Sequence, residues 1–197
     1  MRSLGSASLA VALSVSVVSA QIFPQTPWQA ASPKSSHRVN ELRLAGLRPG
    51  RDTISRAHHL YHKPYEFDDT GGRDGEIWLD YCYHLMLVVD FDSAKKIQTV
   101  RVGEGIGVGD CFLEKQSPWK TGAGLHVHES TDRVIALYGQ PDSRSPSTKG
   151  GQQLELLYYA FDWAGPDVPQ VMEVLCTPEK DGKPGRVVEI TLAGPSL

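Results

Sequence analysis

The sequence predicts an α+β protein made of two tandem repeats, each a short helix followed by a three-stranded antiparallel meander, with the helices on one face of the sheet. Three observations predict it. The segments AGLRPGRDTISRAHHLYHKP (Ala45–Pro64) and AGLHVHESTDRVIALYGQP (Ala123–Pro141) share an Ala-Gly-Leu opening and a Leu-Tyr-x-x-Pro close across a one-residue gap. Both carry apolar residues at helical spacing. Both are followed by a polar, glycine-containing loop and then by runs rich in β-branched and aromatic residues.

In chain order, the first element is MRSLGSASLAVALSVSVVSA, with one positive charge, Arg2, and an apolar run too short to span a bilayer. It ends in Val18-Ser19-Ala20, a small-residue cleavage site. Residues 1–20 are therefore expected to be a secretory signal peptide, with the mature chain beginning at Gln21 in a secreted or periplasmic location. No cysteine follows the apolar run, so lipid anchoring through a processed cysteine is not indicated. Residues 21–40 are rich in Pro, Ser and Gln without a sustained period and read as a flexible leader. The first repeat is expected over 41–110 and the second over 111–197.

In the first repeat, Asp52 or Thr53 can cap a helix whose Ile54, Ala57, His58 and Tyr61 share one face, and Pro64 stops it. In the second, Ser130 is the cap, Val134, Leu137 and Tyr138 form the stripe, and Gly139 with Pro141 ends the helix. Strands are expected at Glu76–Tyr83, His84–Asp92 and Ile97–Val102, then at Leu154–Trp163, Val171–Cys176 and Arg186–Leu192. The stretches 66–75 and 142–151 read as loops.

These residues resemble the SmpA/OmlA (BamE-like) repeat, and tandem copies of such a unit resemble the β-lactamase inhibitory protein architecture. The matching residues are Gly50, Ile54, Leu60, Pro64, Trp78, Tyr81, Val89, Phe91, Asp92 and Val100 in the first half. In the second they are Val134, Leu137, Gly139, Pro141, Tyr158, Tyr159 and Val188. The chain departs from the pattern with His62 where a helix-ending glycine is usual, and it lacks the lipobox cysteine of the outer-membrane members. The resemblance implies a helix-on-sheet layer used for protein binding, with no catalytic residues to carry over.

Charge and motifs narrow the function. The chain has 20 Lys+Arg against 23 Asp+Glu and a net charge of -3, without the clustered basic surface that nucleic acid requires. Three cysteines, Cys82, Cys111 and Cys176, fit one disulfide and one remaining thiol in an oxidising compartment. Their pairing is not readable from sequence alone; Cys82 with Cys111 is favoured because both fall within or beside the first repeat's strands. His58 and His62, at i and i+4, and His126-x-His128 could bind Zn²⁺ or Cu²⁺, which makes a histidine-centred metal-dependent envelope enzyme or metal-binding protein the alternative function. No H-E-x-x-H motif or G-x-S-x-G elbow accompanies them. The alternating glycines of Gly103–Gly109 lack the spacing of a dinucleotide site and read as an inter-repeat link. No cofactor is implied.

The remaining reading is protein binding through an open sheet face. If Ile77–Phe91 runs in one register, Ile77, Leu79, Tyr81, Leu85, Leu87, Val89 and Phe91 face the core. Trp78, Asp80, Cys82 and His84 then turn outward with Arg101 and Glu189. Trp78, Asp80, His84, Arg101 and Glu189 are the expected binding face, a composition that protein interfaces favour.

Overall fold

The computed structural model describes residues 40–65, 75–105, 117–162 and 169–194. The expected signal peptide, the leader up to residue 39, and Cys111 lie outside them. The described elements are α1 (Ile54–Tyr61), β1 (Gly75–Asp80), β2 (Leu85–Phe91) and β3 (Ile97–Glu104), followed by α2 (Thr131–Tyr138). Then come β4 (Ser143–Lys149), β5 (Gln152–Asp162), β6 (Pro169–Cys176) and β7 (Val187–Ala193).

The expectation of two tandem helix-plus-three-strand repeats is overturned. All seven strands join one antiparallel sheet in the order β1-β2-β3-β7-β6-β5-β4, with only two helices among the described residues. Two features set this architecture. The second half has four strands, because the Ser143–Lys149 stretch expected as a loop is strand β4, paired along its length with β5. The last strands of the two meanders then pair with each other, Val100 opposite Leu192 and Val102 opposite Ile190, so the halves share one sheet.

The polar sequence of β4, SRSPSTK, hides a strand because this is the edge of the sheet. Its side chains are nearly all exposed, and Pro146 with the flanking Arg144 and Lys149 blunts the free edge against pairing with other chains. The β4–β5 connection is Gly150-Gly151, with φ of 57° and 79°, the left-handed pair that a two-residue hairpin turn demands.

One face of the sheet holds the core. Trp78, Leu87, Val89, Val100, Val102, Leu157, Tyr159, Met172, Val174, Ile190 and Leu192 line it and are all buried. Ile54 and Ala57 of α1, Val134 and Tyr138 of α2, and Leu44, Leu47, Trp119 and Leu125 from the loops complete the same cluster. Eight-residue helices are marginal alone, so burial of these side chains, worth about 1.5–3 kcal/mol for a large aliphatic one, holds them in place. Ser130 caps α2 as expected, accepting from the Arg133 N–H at 3.2 Å. Thr53 makes no side-chain cap; the Ile54 N–H instead donates to the Lys95 carbonyl, tying α1 to the β2–β3 turn. Asp52 caps elsewhere, its Oδ2 accepting from the Arg48 N–H at 2.8 Å.

Glu41 fastens the start of the described chain to the second half. Its buried carboxylate accepts from the N–H groups of Leu42 and Arg43 on one oxygen, and from the Ala123 N–H and the Tyr138 hydroxyl on the other. Four donors compensate for desolvating the charge.

Candidate functional site: the second face of the sheet

Register decides which side chains reach the face opposite the helices. Trp78 pairs with Leu87 and Asp80 with Leu85, leaving the four-residue turn Tyr81–His84 between β1 and β2. An even-numbered residue of β1 therefore stands opposite an odd-numbered one of β2, and the expected continuous register from Ile77 to Phe91 is wrong. Trp78 belongs to the core at 4% exposure, while Ile77 and Leu79 move to the opposite face and Tyr81 to the turn, 39% exposed.

The tryptophan is fixed by its surroundings. Its ring lies 6.2 Å from those of both Tyr61 and His58, and the indole N–H donates to the His62 carbonyl at 3.3 Å. The other expected face residues divide. The Asp80 carboxylate accepts from the N–H groups of Cys82 and Tyr83 and so shapes the turn. His84 is exposed on that turn with φ 54°. Only Arg101 and Glu189 come together on the second face, Arg101 Nε lying 3.9 Å from Glu189 Oε1.

Thr99, Thr191 and Glu173 stand beside that pair, and apolar side chains flank them on both sides. Ile77, Leu79, Met86, Val88, Leu156, Tyr158, Val171 and Leu175 lie on the second face, all half-buried, across β1, β2, β5 and β6. A sheet with one wet face normally alternates apolar-in with polar-out; β2 reads Leu-Met-Leu-Val-Val instead, apolar on both sides. The buried residues of both helices serve the core face.

Glu189 is the charged centre of this surface and is itself buried. Lys149, at the tip of the β4–β5 hairpin, donates to Glu189 Oε2 at 2.5 Å, opposite the oxygen that faces Arg101. The carboxylate lies over Gly103, where a Cβ would come within 3.0 Å of Oε2. Gly103 thus belongs to β3 and makes room for the ion pair; the expected link role does not describe it. Leu154 and Val188 are buried in addition to the main core cluster. Lys149 went unnoticed in the sequence because its strand did, although Gly150-Gly151 after a polar run is a hairpin signal.

The histidines do not gather. His58 Nε2 meets Glu76 Oε2 at 2.5 Å, and His128 Nε2 lies 3.3 Å from Glu104. Burial holds both His128 and His126 below the usual histidine range, helped by Arg186 at the first and Lys120 at the second. Among the described residues no group of three or more His, Cys, Asp or Glu is placed to hold a metal ion. Cys82 is disulfide-bonded, whereas Cys176 is a free, buried thiol.

Clefts also open among the described residues. One of about 370 Å³ lies among Tyr61, Tyr65, Trp78 and Tyr81; another of about 490 Å³ collects Asp132, Glu155 and Glu179, with Arg144 paired to Glu155. No helix among the described residues is long and apolar enough to cross a membrane.

No protein-family model and no curated protein matches the chain. Among solved structures it is similar to the crystal structure of a DUF4309 family protein, YjgB, from Bacillus subtilis subsp. subtilis str. 168. The TM-score is 0.44 and the identity 11%, over 76% of this chain and 82% of that chain. A likeness this distant carries no functional information.

Proposed function

We propose that this chain is an exported, non-enzymatic protein-binding module, inhibitory or scaffolding in role, and that its docking surface is the second face of the sheet. The observation that carries the reading is the apolar array from Ile77 to Leu175 on the side opposite the helices. Apolar side chains grouped on both sides of a charged centre have the mixed composition that protein interaction sites favour. Resemblance to the SmpA/OmlA repeat implies the same class of role. The partner is a protein; the acidic net charge of -3 disfavours nucleic acid. Cleavage after Ala20 and a Cys82–Cys111 disulfide belong to the same exported state, to be tested by intact mass and a peptide map.

Capture of a partner from the native secreted or periplasmic fraction, compared between variants, tests the reading. Leu156→Glu and Leu175→Glu are expected to abolish capture with little change in thermal unfolding, while Arg133→Glu on exposed α2 surface leaves it intact. Loss of capture by Arg133→Glu with retention by both leucine variants would place the interface on the helical side.

A further inference from the structure

We propose that a second copy of this chain docks on the second face, forming a two-fold dimer with the sheets packed face to face. This rests on the reading of that face as a binding surface and names its occupant.

The strand registers carry the inference. One outward row runs Val88, Arg101, Thr191, Glu173, Tyr158 on β2, β3, β7, β6 and β5. In the neighbouring row Met86 of β2 and Leu156 of β5 flank Glu189 of β7 in the same way. Positive Arg101 thus lies one strand to one side of β7 and negative Glu173 one strand to the other, with apolar residues one strand further out on both sides.

Turning such a face over about an axis along β7 sets β3 opposite β6 and β2 opposite β5. Arg101 then meets Glu173 of the second copy and Glu173 meets its Arg101, while Met86 faces Leu156 and Val88 faces Tyr158. A surface that matches itself under a two-fold rotation is what an isologous dimer requires. Glu189 lies close to that axis but is buried beneath Lys149 and Arg101, which hold its two oxygens and neutralise its charge. Asp90, also on this face, sits toward its edge on β2 beside Thr99.

The area is adequate. Seven strands span roughly 34 Å, and with about 20 Å along the strands the face covers roughly 700 Å² in plan, close to the ~800 Å² per partner of a standard interface. Aligned sheet-on-sheet packing at about 10 Å lets Arg and Glu side chains reach across.

Sedimentation velocity on the purified, exported chain and two charge reversals test the inference. Wild-type protein should sediment as a dimer in the micromolar range. Arg101→Glu alone and Glu173→Arg alone each oppose like charges twice, and each should weaken association by about tenfold or more. In an equimolar mixture of the two variants, a heterodimer sets two carboxylates of one chain against two guanidinium groups of the other, opposite charges at both contacts, and should restore the dimer. Only folded chains can respond, so the mixture also controls for misfolding. A monomeric wild type, or a mixture that stays monomeric, overturns the inference. Should a monomeric wild type still capture another protein in a Leu156-dependent manner, the occupant is wrong while the reading of the face stands.

Discussion

Replacing Trp78 by alanine probes the register on which the face assignment depends. Trp78 is 4% exposed, packed against Leu87, Tyr61 and His58, and donates its indole N–H to the His62 carbonyl. Truncating a buried tryptophan costs about 3–5 kcal/mol, through lost transfer energy and the cavity left behind. β1 is an edge strand, where the chain can partly collapse into the space, and the exposed His62 carbonyl regains water, so the lower part of the range applies. At roughly 2–4 °C per kcal/mol for a chain of this size, the midpoint of thermal unfolding should fall by about 10 °C. Trp78→Phe keeps ring packing against Tyr61 and should lose only about 1–2 kcal/mol. Circular dichroism melts and denaturant titrations measure both. A Trp78→Ala midpoint within about 2 °C of wild type would put the indole in water and invert the two faces.

Three further outcomes follow from the geometry. His62 ends α1 at φ 62° and ψ -141°, a region suited to glycine, so His62→Gly should stabilise the fold by about 1 kcal/mol, read as a rise of a few degrees in the melting midpoint. Burial pushes the Tyr61 hydroxyl up to about 12 from its ordinary 10.0, with Arg56 opposing, and its donor bond to the Ala45 carbonyl needs the proton. The unfolded chain releases that proton first, so this contribution to stability is full below pH 10 and is lost as pH rises toward 12; Tyr61→Phe should flatten the alkaline limb of a stability-versus-pH series. Burial likewise raises the Cys176 thiol to about 11, so at neutral pH it should react with a thiol reagent only at the rate of unfolding, and fast labelling of the native protein would contradict its placement.

Local signals were legible in the chain and long-range ones were not. The helical spacing of Ile54 and Ala57, the stripe of Val134 and Tyr138 and the Ser130 cap each depend on neighbours within a turn, and each appears where the pattern puts it. Strand β4 was hidden because an exposed edge strand needs no apolar residues. The pairing of β3 with β7, which makes one sheet of the two meanders, joins residues about 90 positions apart and leaves no local trace. Within the candidate site, Arg101 and Glu189 were found by alternation inside single strands. Trp78 was misplaced because alternation was carried through a turn, and a turn of four residues resets which parity faces inward. The better signal was the uninterrupted apolar run of β2, which marks a strand with work for both faces.

Site-specific photo-crosslinking tests the central claim most directly. A photoreactive residue placed at Val88 or at Leu156 on the second face, or at Arg56 or Arg133 on the exposed helical side, reports what touches each surface in the native cell fraction that holds the protein. Protein adducts from Val88 and Leu156, with none from Arg56 and Arg133, are the predicted result. Adducts confined to the two helical positions would contradict the assignment of the second face as the docking surface.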